Sequence, residues 1–139
     1  MSLSEEATKV VDELKAEYDM IRSIGSLFLY TELDIDELSD TLEKMEDLPE
    51  NCLFSDELLD QMRISRLYWI RRLCAMNGRD KDLDILVTDQ NDLVRFEVLF
   101  HKRPQDLKIL KEDRNPDIRQ AAVGWYNSNC GQNGILGRY

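Results

Sequence analysis

The chain is predicted to be all-α, a short α-solenoid of repeated helices behind an acidic N-terminal helical portion, on three observations. Apolar residues recur at spacings of three and four from residue 7 to residue 74, the period of helices that bury one face. No stretch alternates apolar and polar residues for long enough to make a half-buried strand. The phrase "DQNDLVRFEVL" (89–99) returns as "DRNPDIRQAAV" (113–123), an echo at 24 residues that marks an internal repeat.

In chain order, residues 7–30 set Val10, Val11, Leu14, Tyr18 and Ile21 on one stripe, an amphipathic helix interrupted near Gly25. Ile35, Leu38, Leu42 and Met45 form the next stripe, with Asp34 as N-cap and Pro49 as the stop. Ser55 opens a third helix that continues through Leu59, Met62, Ile70 and Cys74, and Gly78 closes it. From Asp80 onward the segments shorten. "DKDLDILVTD" makes about two turns and "NDLVRFEVLFHK" about three. Pro104 then breaks the chain, and "QDLKILKED" and "NPDIRQAAVGWYNS" repeat the short-then-longer order with Pro116 at a helix start. Residues 129–139 form a loose, glycine-rich tail from which Ile135 and Leu136 could dock back. The expected organisation is therefore 1–54 acidic helices, 55–128 repeat helices and 129–139 tail.

A 139-residue chain is one domain, or one domain with a helical extension. With 42% hydrophobic and 33% charged residues it belongs with folded rather than disordered chains. No run of about 18 apolar residues offers a membrane span, and "MSLSEEATKV" lacks the basic-then-apolar pattern of a secretory signal. Cys52, Cys74 and Cys130 are too far apart for a local metal knuckle and odd in number for a disulfide scaffold. With His101 the one histidine, no metal or cofactor is expected, and the reduced cytoplasm is the expected compartment. The net charge of −10 is unevenly spread: residues 1–62 hold 18 acids against 4 bases, residues 63–139 hold 10 against 14.

At the 24-residue offset Asp82, Leu83, Ile85 and Leu86 fall on Asp106, Leu107, Ile109 and Leu110. Asp89, Asn91, Val94 and Arg95 fall on Asp113, Asn115, Ile118 and Arg119. A worn earlier copy keeps Leu59, Met62, Ile70, Arg71 and Cys74 but has Ser65 where the Asp should stand. The signature "DQNDLVR" and "DRNPDIR" resembles that of HEAT-like repeats. The 24-residue unit with "VRFEVLFHKRPQDLKILKED" is most similar to the leucine-rich repeat variant, over roughly residues 58–126. The resemblance implies stacked helix pairs and, for most members, protein binding; a few helical-repeat relatives act on DNA. One leucine-rich repeat variant protein is associated with an iron–sulfur cluster held by clustered cysteines, a feature not carried over here because the three cysteines do not cluster.

An Asp ending one helix and an Arg early in the next, recurring in each unit, should stack into a ladder of alternating charges. Asp89, Arg95, Asp113 and Arg119 are accordingly assigned to structure rather than to ligand binding. Loss of Arg95 or of Arg119 is each expected to cost roughly 1–3 kcal/mol through an unpaired carboxylate.

No catalytic residue is assigned. There is no phosphate loop, nucleophile motif or metal spacing, and His101 at a helix end beside Lys102 and Arg103 suits capping better than base catalysis. "RISRLYWIRRLC" (63–74) surrounds Tyr68 and Trp69 with arginines, but on a helix these scatter around the wheel instead of forming a phosphate-tracking stripe. Pairing of Arg63 and Arg66 with the acidic helices is the alternative use. Residues 31–50 carry nine acids and one base. Asp34, Asp36, Glu37, Asp40, Glu43, Glu46 and Asp47 could meet a basic partner, or imitate a nucleic-acid backbone as small inhibitors of nucleic-acid enzymes do; the plain alternative is a solvated cap. Trp125 is expected to close the core, while Tyr126 is left open between core and contact surface. The sequence thus points first to a non-enzymatic protein-binding module, next to an acidic nucleic-acid mimic, and third to a nucleic-acid binder.

Overall fold

Ser4 opens the first helix: its hydroxyl accepts the Ala7 N–H (3.1 Å), and Glu5 and Glu6 follow where negative charge favours the helix dipole. In the computed structural model, which describes residues 4–28, 30, 32–48 and 54–128, α1 spans Glu5–Leu27 without a break. The interruption expected at Gly25 does not occur. Gly25 remains helical because it makes room for Leu38, whose δ-carbons lie 2.7 and 2.8 Å from where a Cβ would stand. Its low helix propensity, about 1 kcal/mol relative to alanine, is offset by the close approach that buries Leu38 completely.

Asp34 accepts the Glu37 N–H (2.9 Å) and starts α2 (Ile35–Glu43), which packs on α1 through Leu38 and Leu42. Arg22 fixes the approach to α2 by donating to the Leu33 carbonyl (2.7 Å). The helix finishes at Glu43 with Lys44 as C-cap, ahead of Pro49, which lies outside the described residues, as do Cys52 and Cys130. Ser55 then caps α3 (Asp56–Arg63) by accepting the Leu58 N–H (3.1 Å), and Leu59 and Met62 are buried where α3 meets α1.

The single helix expected from Ser55 to Cys74 is in fact two, since α4 (Tyr68–Asn77) begins only after a turn at 64–67. Ser65 organises that turn. Its hydroxyl accepts the Leu67 N–H (3.1 Å) and donates to the Glu17 carboxylate (2.8 Å), which also accepts the Arg66 N–H (2.9 Å). The donors freed by the break are thus satisfied by a carboxylate on α1, while the apolar period runs on across the gap and conceals it.

The chain divides into two compact units, residues 1–70 and 71–139, the division falling inside α4. In the second unit α5 (Asp80–Leu86), α6 (Asp92–Phe100), α7 (Pro104–Leu110) and α8 (Pro116–Tyr126) alternate short and long. α5 packs on α6, α6 on α7 and α8, and α7 on α8. Leu83, Val94, Val98, Leu99, Leu107 and Ile118 are fully buried there. Pro104 lies where the chain passes from α6 to α7 and, like Pro116, occupies a first-turn position, where its missing N–H costs nothing. Gly78 ends α4 at φ 82°, and 24 residues later Lys102 takes the same left-handed region at φ 54°. His101 caps α6, and its Nε2–H donates to the Ala75 carbonyl (2.7 Å) near the end of α4. The residues expected to form a loose tail, including Ile135 and Leu136, lie outside the described region. Among the described residues there are eight helices and no strand, and no helix is long and apolar enough to cross a membrane.

Candidate functional site

The turns before α6 and α8 are built alike. Asp89 accepts the Asn91 N–H (2.9 Å) and Asp113 the Asn115 N–H (2.8 Å), which bends each turn. The Asn side chains then cap the helices, Asn91 accepting from Leu93 N–H and Asn115 from Asp117 N–H, each at 2.8 Å. The second carboxylate function of each Asp is to receive an arginine. Arg71 donates Nε and Nη2 to Asp89 at 2.8 and 3.1 Å, and Arg95 repeats both bonds to Asp113 at the same two distances. The third guanidinium nitrogen reaches back: Arg95 Nη1 donates to the Asp89 carbonyl (2.7 Å) and Arg119 Nη1 to the Asp113 carbonyl (2.8 Å).

Asp89, Arg95, Asp113 and Arg119 are therefore brought into one row, though not in the pairs their order suggests. Asp89 gives its carboxylate to Arg71 and only its carbonyl to Arg95. Arg119 is exposed and, among the described residues, binds no carboxylate, so the cost expected for its loss does not carry over from Arg95. Arg95 is 3% exposed and the Asp113 side chain 6%. Burial pushes the Asp113 carboxyl upward, but the hydrogen bonds from Arg95 and Asn115 outweigh it and hold the group below its ordinary value. A carboxylate so saturated is a poor proton acceptor.

A second set of pairs was not foreseen. Arg79 grips Asp82 through Nε and Nη2 (2.7 and 2.8 Å) at the start of α5, and Arg103 grips Asp106 likewise (2.8 and 3.0 Å) at the start of α7. Asp82 and Asp106 are 0% and 1% exposed. The repeated spacing Arg-x-x-Asp, visible at 79–82 and 103–106, was the signal for them. Arg103 also donates to the Asp80 carbonyl (3.1 Å), the Asp80 carboxylate (3.2 Å) and Asp84. Burial pulls the Arg103 pKa down, and its bonds to Asp106, Asp84 and Asp80 more than reverse this. Asp106 goes the other way: its burial outweighs the Arg103 contact and raises it.

In the acidic segment Asp34 is the α2 cap, and the N–H of Glu37 holds its carboxyl below the ordinary value, whereas Glu37 is raised by its contact with Asp34. Asp40 pairs with Lys44 on the same helix (3.0 Å), and Glu43 accepts the Tyr68 hydroxyl (2.6 Å). Asp36, Glu46 and Asp47 are exposed. The basic segment is engaged with carboxylates throughout: Arg63 with Asp60 (3.8 Å), Arg66 with Glu13 (3.2 Å), Arg71 with Asp89 and Arg72 with Glu97 (3.0 Å). Trp69 is buried.

Trp125 does not enter the core as expected. It is half-buried, edge-on to Phe100 at 6.3 Å, with the Lys102 ammonium 4.5 Å above its ring. Tyr126 is half-buried beneath the Lys111 ammonium (4.4 Å). Cys74 is buried, and no group of His, Cys, Asp and Glu among the described residues could hold a metal ion. No protein-family model, curated protein or solved structure matches the chain.

Proposed function

We propose that the chain is a non-enzymatic protein–protein interaction module, a small cytoplasmic adaptor or regulator built on HEAT-like repeats closest to the leucine-rich repeat variant. The observation that carries this reading is the recurrence, 24 residues apart, of one complete set of hydrogen bonds: Arg71 on Asp89 and Arg95 on Asp113, with the Asp-x-Asn turn of each. Units joined in that way build scaffolds whose surfaces bind other proteins. In these two pairs the arginine and aspartate side chains serve one another, which favours structure over catalysis. The test is affinity capture with chemical crosslinking, using the purified chain in extract of its host. A protein partner retained from low to high salt supports an apolar docking surface; turnover of a small molecule with no protein partner refutes the reading.

The second reading, an acidic mimic of a nucleic-acid backbone, draws on the exposed carboxylates Asp36, Glu37 and Asp40 of α2. It requires capture that collapses steeply as salt rises, because exposed charges are screened within about 10 Å at 0.1 M salt. Direct nucleic-acid binding draws least support, since Arg63, Arg66, Arg71 and Arg72 already face carboxylates.

A further inference from the structure

We infer that the outer face of α8 is a docking surface for a helical hairpin of a partner protein, and that Arg119 is its anchor, receiving an aspartate from a helix-linking turn. The inference rests on the protein-binding reading above and names its surface.

Arg119 repeats Arg95 up to a point. Both donate Nη1 to the carbonyl of the Asp six residues earlier, at 2.7 Å for Arg95 and 2.8 Å for Arg119. In Arg95 the remaining pair, Nε and Nη2, holds the Asp113 carboxylate, as the pair on Arg71 holds Asp89. In Arg119 the same pair holds no carboxylate among the described residues. A guanidinium tethered by Nη1 can match a carboxylate with two parallel bonds from Nε and Nη2, the geometry this chain uses in four arginine–aspartate pairs.

The apolar surface beside it is open in the same register. Leu99 on α6 is 0% exposed, while Val123, its counterpart on α8, is 40% exposed. Gly124 has nothing within 4 Å of where a Cβ would stand. α6 is covered by α7 and α8; the matching face of α8 lacks such a cover among the described residues, so the occupant chemistry is read from α6 itself: a helix pair offering an apolar side and an aspartate in an Asp-x-Asn turn. A head-to-tail second copy fits poorly, because the position that would offer the aspartate at the other end is Ser65, already bonded to Glu17.

The experiment titrates the full chain, labelled with ¹⁵N, with a synthetic peptide copying residues 104–127, and follows the side-chain Nε–H signals of Arg119 and Arg95. The Arg119 signal should move, the Arg95 signal should not, and Asp113→Asn in the peptide or Arg119→Gln in the protein should weaken binding about tenfold, the factor that corresponds to about 1.4 kcal/mol. Arg119 is exposed, so Arg119→Gln should keep its fold, checked by an unchanged urea midpoint. Equal affinity of the Asp113→Asn peptide, or no movement of the Arg119 signal at millimolar peptide, overturns the proposal. So does self-association in sedimentation that Arg119→Gln abolishes, which would assign the face to a second copy. If this titration fails while crosslinked capture of a protein partner survives Arg119→Gln, the anchor is wrong and the protein-binding reading stands.

Discussion

Replacing Arg95 with alanine separates buried from exposed members of the arginine row. The substitution removes two bonds to the Asp113 carboxylate and one to the Asp89 carbonyl, from a residue that is 3% exposed. Deleting one partner of a buried ion pair costs about 3–5 kcal/mol, because the other charge is left desolvated. Asp113 keeps the Asn115 N–H, which places the cost near the low end, about 3 kcal/mol. Arg119→Ala removes one bond to a carbonyl from an exposed side chain and should cost less than about 1 kcal/mol. Urea unfolding followed by circular dichroism at pH 7 measures both, and equal costs would refute the assignment. The pH dependence supplies an independent check. The folded pKa of Asp113 lies below its unfolded value of 3.8, so its contribution is present above that value and is lost as pH falls through the folded one. The gap between wild type and Arg95→Ala should therefore be widest at neutral pH and narrow as pH falls and Asp113 takes up its proton. A gap that widens on acidification contradicts the pairing.

Further substitutions test two of the turns and the contact between α1 and α2. Gly78→Ala places a Cβ 2.6 Å from the His101 ring in a backbone at φ 82°, and should lower stability by about 2 kcal/mol, read from the urea midpoint. Gly25→Ala forces aside the completely buried Leu38 and should cost about 1–3 kcal/mol; a neutral result would mean that α2 sits farther from α1 than described. Ser65→Asp sets at 65 the residue type found 24 positions on at Asp89, but places it against the Glu17 carboxylate at a site 4% exposed, costing about 2–3 kcal/mol. Adding Glu17→Gln should recover at least half of that loss, and failure to recover it would show that Glu17 does not occupy the turn.

Sequence made the all-helical class, the caps at Asp34 and Ser55 and the close at Gly78 legible, because each depends on residues within a few positions of one another. The break at 64–67 was hidden, since the group that satisfies it comes from Glu17 on another helix. Gly25 looked like a helix stop because propensity cannot see that Leu38 needs the space. In the candidate site the row of Asp89, Arg95, Asp113 and Arg119 was legible from the echo, but the pairing of Arg71 with Asp89 was not. Partners are chosen by which guanidinium reaches across to the carboxylate, and here that runs 18 residues forward from arginine to aspartate rather than between neighbours in the text. Trp125 was misread because its ring closes on Phe100 and Lys102 at the surface rather than on an apolar interior.

The Glu17–Ser65 contact also bears on the order in which the chain folds. It closes a loop of 48 residues, whereas the Arg71–Asp89 and Arg95–Asp113 pairs close loops of 18. The longer closure costs about 1 kcal/mol more in chain entropy before any contact repays it. Short closures dominate the second unit, which should accordingly acquire amide protection ahead of α1 and the turn at 64–67 when refolding is followed by pulsed hydrogen exchange. The substitution of serine for aspartate at position 65 thus makes one turn a late event, completed only when the first helix arrives.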